Sequence, residues 1–200
     1  MTDSCDAELK HRLRRQFRRA RMQLPISERR RAETRINRRL KSLLKRGRRI
    51  AFYWPVGSEL RLDALMQAAL ARGTHVYLPY IEAGKRRLWF TRYRPDARRE
   101  RRRAGRLDIP QFKGQKVRME KLDCVLLPLV AADRQGYRLG QGGGFYDASL
   151  AHCRFSLPKK IGVGFACQLA DTLPHEPHDK PLDAFVCEQA WLTFKRRYSG

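Results

Sequence analysis

The chain has 200 residues, 42% of them hydrophobic and 10% aromatic, enough for one compact domain that buries roughly 70% of its unfolded surface. That composition excludes global disorder, and no apolar run reaches the ~20 residues of a membrane span. The formal charge of +24 sits in two segments: residues 1–49 hold 18 Lys and Arg against 5 acids, and residues 84–121 hold 15 against 4, while the remainder is balanced. Such a pattern describes basic rims around an ordinary core, and it points to an anionic partner without specifying one. The five cysteines, at 5, 124, 153, 167 and 187, form no Cys-x-x-Cys pair. They read as reduced thiols of a cytoplasmic protein, and no zinc site is expected. The opening Met1 to Asp6 lacks the basic-then-apolar layout of a secretory leader.

In chain order, Leu9, Leu13, Phe17 and Ala20 recur every three to four residues and predict an amphipathic first helix. Lys10, Arg14 and Arg21 share another stripe, which is either a wet basic face or a pair of cations reaching one anion. Pro25 to Ser27 interrupts the chain, with Ser27 as the expected N-cap of a second helix. That helix turns Ala32, Ile36, Leu40 and Leu43/Leu44 inward and stops at Gly47. From residue 50 strands and helices alternate: strand 50–54, helix 62–71, strand 75–80, then an antiparallel strand 88–93. Residues 94–121 are arginine-rich and unpatterned, and a mobile excursion is expected there. Strands resume at 123–130, 161–165 and 183–187, with helical stretches at 144–153 and 167–172. The expected architecture is α/β: an open, mostly parallel sheet with helices on both faces, a Rossmann-like three-layer α/β/α sandwich. It forms a single domain over 1–200, with a helical basic segment 7–47 and an α/β core 50–190.

The chemistry concentrates between Arg138 and Asp147. Here Leu139, Gly140, Gln141, Gly142, Gly143, Gly144, Phe145 and Tyr146 link a predicted strand to a predicted helix. Glycines allow positive φ and close backbone approach, so amide N–H groups can converge on an anion at the helix start. The spacing fits neither the Walker loop nor the dinucleotide fingerprint, and on spacing alone such a run is more often a tight turn. Ligands of open α/β sheets sit beyond the carboxyl ends of the strands. That rule adds the loop Trp54 to Glu59 and the segment His175 to Asp183 to the candidate site. Glu59 either points back over the sheet or complements the dipole of the following helix. Asp183 is either a surface cap or a ligand for Mg²⁺, an ion that takes one or two carboxylates plus phosphate oxygens. His152, His175 and His178 lack metal-ligand spacing.

Leu127 to Asp147 resembles the signature of the 5-formyltetrahydrofolate cyclo-ligase family, also called methenyltetrahydrofolate synthetases. Lys10 to Arg14, Trp54 to Glu59 and Pro174 to Asp183 are similar to its other motifs, in order, and the likeness spans residues 8–188. The resemblance implies conversion of 5-formyltetrahydrofolate to the 5,10-methenyl form, dependent on ATP and Mg²⁺. It implies Lys10, Arg14, Arg138 and the loop from Leu139 to Tyr146 at the nucleotide, and Trp54, Glu59 and the 141–145 loop at the folate. Asp147 and Asp183 would bind the metal, with Arg138 and Tyr146 acting in the chemistry. Some members carry cations in the loop where this chain has Gln141 and Gly143. The expected partners are ATP and folate, with segment 84–121 placed to hold a polyglutamate tail by charge alone. No specific nucleic acid and no membrane is expected, and the protein is expected to be a monomer. The rival readings are a basic nucleic-acid-binding module and a non-catalytic relative that binds folate or nucleotide.

Overall fold

The computed structural model describes residues 2–100, 109–153, 158–176 and 179–194, with side chains from residue 6 onward. Helix α1 (Thr2–Met22) is followed by α2 (Ile26–Leu40), β1 (Arg49–Ala51), α3 (Asp63–Ala71), β2 (His75–Tyr80) and β3 (Trp89–Arg92). Next come β4 (Arg99–Glu100), β5 (Gln111–Phe112), β6 (Lys116–Val117), β7 (Cys124–Pro128), β8 (Ala131–Asp133) and β9 (Arg138–Leu139). The chain continues through α4 (Phe145–Leu150), β10 (Lys159–Val163), β11 (Leu169–Ala170), β12 (Ala184–Val186) and β13 (Trp191–Thr193).

The principal sheet has the order β13-β12-β10-β7-β1-β2-β3-β6. Its centre, from β12 to β2, pairs in parallel, and the flanking strands pair antiparallel. The mostly parallel sheet expected from the sequence is therefore present. Strand pleating divides the core. Ile50, Phe52, Cys124 and Leu126 share a cluster with Ile36 and Leu40 of α2 and Leu65 of α3. Ala51, Val125 and Leu127 turn to the other face, where Leu150 of α4 meets them. The helices on that second face are sparser than expected, since α4 has six residues. A small sheet of β11, β8 and β9 completes the layer, and Leu13 and Phe17 of α1 pack over it.

Three local expectations are corrected. Helix α2 starts at Ile26 with no side-chain cap, because Pro25 is extended (φ −56, ψ 146) and its carbonyl already accepts the Arg29 amide at 2.9 Å. Ser27 lies inside the first turn. The helix expected over 167–172 is a 3-10 turn at Ala166–Gln168 followed by β11. Buried Gln168 is the cause: its amide donates to the carbonyls of Leu129 and Val130 and its oxygen accepts from Phe165 N, holding the chain beside β8. The excursion over 94–121, unpatterned in the sequence, carries short strands at both described ends, where β4 pairs with β5 and β6 extends the main sheet beside β3. Phe112 anchors it against Tyr93, with ring centroids 5.0 Å apart. The remaining arginines of that segment, at 101–106, lie outside the described residues, as does His178.

One buried carboxylate shapes the path from β7 to the glycine run. Asp133 is 1% exposed and accepts from the amides of Gln135, Tyr137 and Leu173, at 2.9, 2.9 and 3.1 Å. The first two bonds turn β8 back into β9, and the third pins the chain at Leu173 to the same corner. Asp133→Ala leaves three amides without their acceptor: the buried Leu173 N–H, at roughly 1–3 kcal/mol, and the half-buried bonds from Gln135 and Tyr137, which water can partly replace. The expected outcome is a lower urea midpoint with unchanged slope; a midpoint equal to wild type would contradict the role given to Asp133.

Candidate functional site

β1 and β7 are parallel neighbours whose onward connections diverge. The chain leaves β1 through α3 to β2 on one side, and leaves β7 through α4 to β10 on the other. Where strand order reverses in this way, the loops at the carboxyl ends separate and leave a crevice. A cleft of about 560 Å³ occupies that place, with Tyr53 to Glu59 on one wall and Arg138 and Gly140 to Asp147 on the other. Arg18, Arg21 and Met22 of α1 close it from above, and Pro79, Ile81, Leu88 and Ile109 supply an apolar side.

The glycine wall is built for close approach. Gly142 and Gly144 have φ of +100° and +67°, in the region that side chains disfavour. Gly144 directly precedes α4, and no side chain caps that helix. Among the described residues, no protein acceptor takes the amide N–H groups of 142–147. Arg138 lies behind the loop with its side chain 5% exposed, donating from Nη2 to Asp147 Oδ1, while its buried Nε has no partner. Tyr146 lines the cleft, and burial, with Glu59 nearby, raises the pKa of its phenol.

The opposite wall pairs an aromatic with an acid. Trp54 is half-buried and tilts against Phe112 at 6.5 Å, so the β4–β5 hairpin backs it. Glu59 is 7% exposed, and its oxygens accept from Val56 N at 3.0 Å and Gln141 Nε2 at 2.7 Å. Arg21, 5% exposed, donates to Ser58 Oγ at 3.0 Å. Burial lowers the Arg21 pKa, and the Glu59 carboxylate opposes that shift. Arg29 locks the corner by donating to Ser58 O and Arg21 O.

Most of the expected site residues converge here: Trp54, Glu59, Arg138, the loop 140–146 and Asp147 all line the cleft. Others stand behind it. Arg14 donates from Nε to Gly140 O at 2.9 Å, Lys10 pairs with Glu176 at 2.8 Å, and Leu139 is buried against α1. Burial and the neighbouring Arg18 lower the Arg14 pKa. Asp183 requires a correction. It immediately precedes β12, at the amino end of a strand parallel to β10 and β7, and its carboxylate accepts from Lys160 N at 2.7 Å. The glycine loop lies beyond the carboxyl ends, so Asp183 does not join Asp147 in a metal site. His175 stacks on Tyr137 at 3.5 Å, a packing role. Arg18 and Tyr53 were not anticipated. Arg18 was legible as the member of the Lys10–Arg14 series one turn further on, whereas Tyr53 read only as strand.

Among the described residues no three His, Cys, Asp or Glu side chains gather into a metal-binding group. Mg²⁺ needs fewer, one or two carboxylates with phosphate oxygens and water completing the shell. Asp147 on the cleft wall, with its side chain 52% exposed, fits that requirement.

Fold and cleft define an open α/β protein with its site at the strand-order reversal. Residues 6–188 match the 5-formyltetrahydrofolate cyclo-ligase family, and the chain belongs to that family, an enzyme of the ligase class. The 5-formyltetrahydrofolate cyclo-ligase of Haemophilus influenzae is 31% identical over 181 residues, covering 88% of this chain and 96% of that protein. The protein of the same name from Escherichia coli is 34% identical over 141 residues, covering 68% and 76%. Among solved structures, Aquifex aeolicus 5,10-methenyltetrahydrofolate synthetase is similar with a TM-score of 0.78 at 29% identity, covering 96% of this chain and 95% of that one.

The buried phenols give a direct test of the cleft's environment. Burial raises the pKa of both Tyr53 and Tyr146. A raised phenol binds its proton more tightly folded than unfolded, so its contribution to stability is complete below pH ~10 and is lost as pH rises further. In an alkaline absorbance titration of the folded protein, a late tyrosinate phase is expected, smaller in Tyr146→Phe. Ionisation of every tyrosine in one phase near pH ~10 would contradict it.

Proposed function

We propose that this protein converts 5-formyltetrahydrofolate to 5,10-methenyltetrahydrofolate, consuming ATP and releasing ADP and phosphate. The observation that carries the reading is the meeting of two unlike walls across one cleft. One offers undonated amides beside Arg138; the other offers an aromatic face and a buried carboxylate. A triphosphate suits the first and a planar, donor-bearing ring suits the second.

A formamide carbon is a poor electrophile for the neighbouring ring amine. In the proposed sequence the formyl oxygen attacks the γ-phosphorus, and ADP departs with its bonding pair. N10 then attacks the activated carbon and gives up its proton, phosphate leaves with the former formyl oxygen, and the methenyl bridge remains. The protein's share is orientation and charge stabilisation, which together supply most of the rate enhancement in phosphoryl transfer. The amides of the 142–146 loop would hold the phosphate oxygens, with Arg138 neutralising charge that develops on the transferred group. Tyr146, its proton tightly held, can donate to the same oxygens. Glu59 would accept from the pterin N–H groups, and Trp54 would pack beside the ring. Arg14 and Lys10 act at one remove, Arg14 by fixing Gly140. Asp147 would hold Mg²⁺, which when bound supplies positive charge at the phosphates. Its carboxylate would then be shared between the ion and Arg138.

The test is appearance of the methenyl product's ultraviolet absorbance on mixing protein, ATP, Mg²⁺ and 5-formyltetrahydrofolate. Arg138→Ala is expected to lower kcat by at least ~100-fold, the scale for losing a donor to transition-state charge. Asp147→Ala is expected to remove turnover and to weaken the response to added Mg²⁺. No product in the complete mixture sinks the function; full activity in both variants sinks the site.

A further inference from the structure

We propose that Gln141 couples the two ends of the cleft, holding Arg18 on the glycine loop until a reduced folate takes Glu59, whereupon Arg18 turns to the nucleotide phosphates. The proposal rests on the functional reading above and deepens it. Gln141 Nε2 donates to Glu59 Oε1 at 2.7 Å. Gln141 Oε1 accepts from Arg18 Nε and Nη2 at 3.1 and 2.8 Å, and its main-chain carbonyl accepts from Nη2 at 3.0 Å. One side-chain amide therefore joins α1 to the loop after β1, across the mouth of the cleft.

A pterin ring presents adjacent N–H donors, the match for a carboxylate with two free oxygens. Both Glu59 oxygens already accept a bond, and at 7% exposure the carboxylate has little room for two further donors. Val56 N takes one, and it is a main-chain donor within the same short turn. Gln141 takes the other from an exposed loop position between Gly140 and Gly142. Gln141 is the partner that yields when the ring is seated. Its freed side chain no longer fixes the oxygen that accepts two of Arg18's three bonds.

The helix beneath Arg18 stays in place, because Arg14 is tied to Gly140 O and Arg21 to Ser58 Oγ. Only the Arg18 side chain moves, and it lines the cleft beside loop amides that lack acceptors. A guanidinium losing a neutral acceptor there finds phosphate oxygens, a stronger partner. Linkage makes the effect reciprocal: phosphate drawing Arg18 away loosens Gln141 and favours the folate.

Calorimetry on wild type, Gln141→Ala and Arg18→Gln tests the coupling. Each is titrated with a non-hydrolysable ATP analogue and Mg²⁺, with and without saturating 5-formyltetrahydrofolate. Wild type is expected to bind the analogue about tenfold more tightly with folate present, within the usual range of inter-site coupling. In both variants the factor is expected to fall below about twofold. Gln141→Ala, relieved of the competing bond, is expected to bind folate alone at least as tightly as wild type. A wild-type factor near one, or an undiminished factor in Gln141→Ala, overturns the proposal. Wild-type turnover without coupling sinks this inference alone, whereas protein that binds neither ligand sinks the functional reading with it.

Discussion

The reversal of strand order between β1 and β7 is the constraint on which the site depends. These strands are hydrogen-bonded neighbours, so their loops start side by side, and diverging connections then pull those loops apart. A gap at that point follows from connectivity, before any side chain is chosen. The residues next to it need the shape: Gly142 and Gly144 at positive φ bring backbone to the rim, and Glu59 folds back through its bond to Val56 N.

Charge is arranged in layers around this gap. Arg138 and Asp147 lie in one wall as an ion pair. Arg14, Arg18 and Arg21 descend from α1 and each grips a loop: Gly140, Gln141 and Ser58 respectively. The basic face of α1 thus positions the site through hydrogen bonds to neutral groups. Burial strengthens the Arg14 and Arg21 contacts, since a guanidinium removed from water gains more from each acceptor than one in bulk solvent, whereas the Arg18 bonds are exposed. The exposed pairs, such as Arg61–Asp63 and Arg134–Asp171, are far less consequential.

How much of this was legible in the sequence depends on the range of the interaction. The central strands declared themselves as continuous apolar runs, because both faces of β7 and β12 are covered. The glycine loop and the Trp54–Glu59 turn were legible because each carries its conformational requirement locally. Gln168 was not: its three bonds reach residues 3 to 39 positions away, and they replaced an expected helix with a turn and a strand. Asp183 misled for a related reason. It precedes an apolar strand, and only the strand's direction in the sheet shows that it stands at the amino end. Lys10 and Arg14 were found as a stripe, but that they face a neighbouring loop and Glu176 is a fact of packing that periodicity does not encode.

Amide-resolved nuclear magnetic resonance, following the protein through addition of ATP analogue and Mg²⁺, measures the central claim most directly. If the loop's main-chain donors receive the phosphates, the largest shifts fall on the amides from Gly142 to Tyr146, and those amides become protected from hydrogen exchange. Shifts concentrated on α2 or the β4–β5 hairpin, with the 142–146 amides unmoved and still exchanging freely, would contradict it.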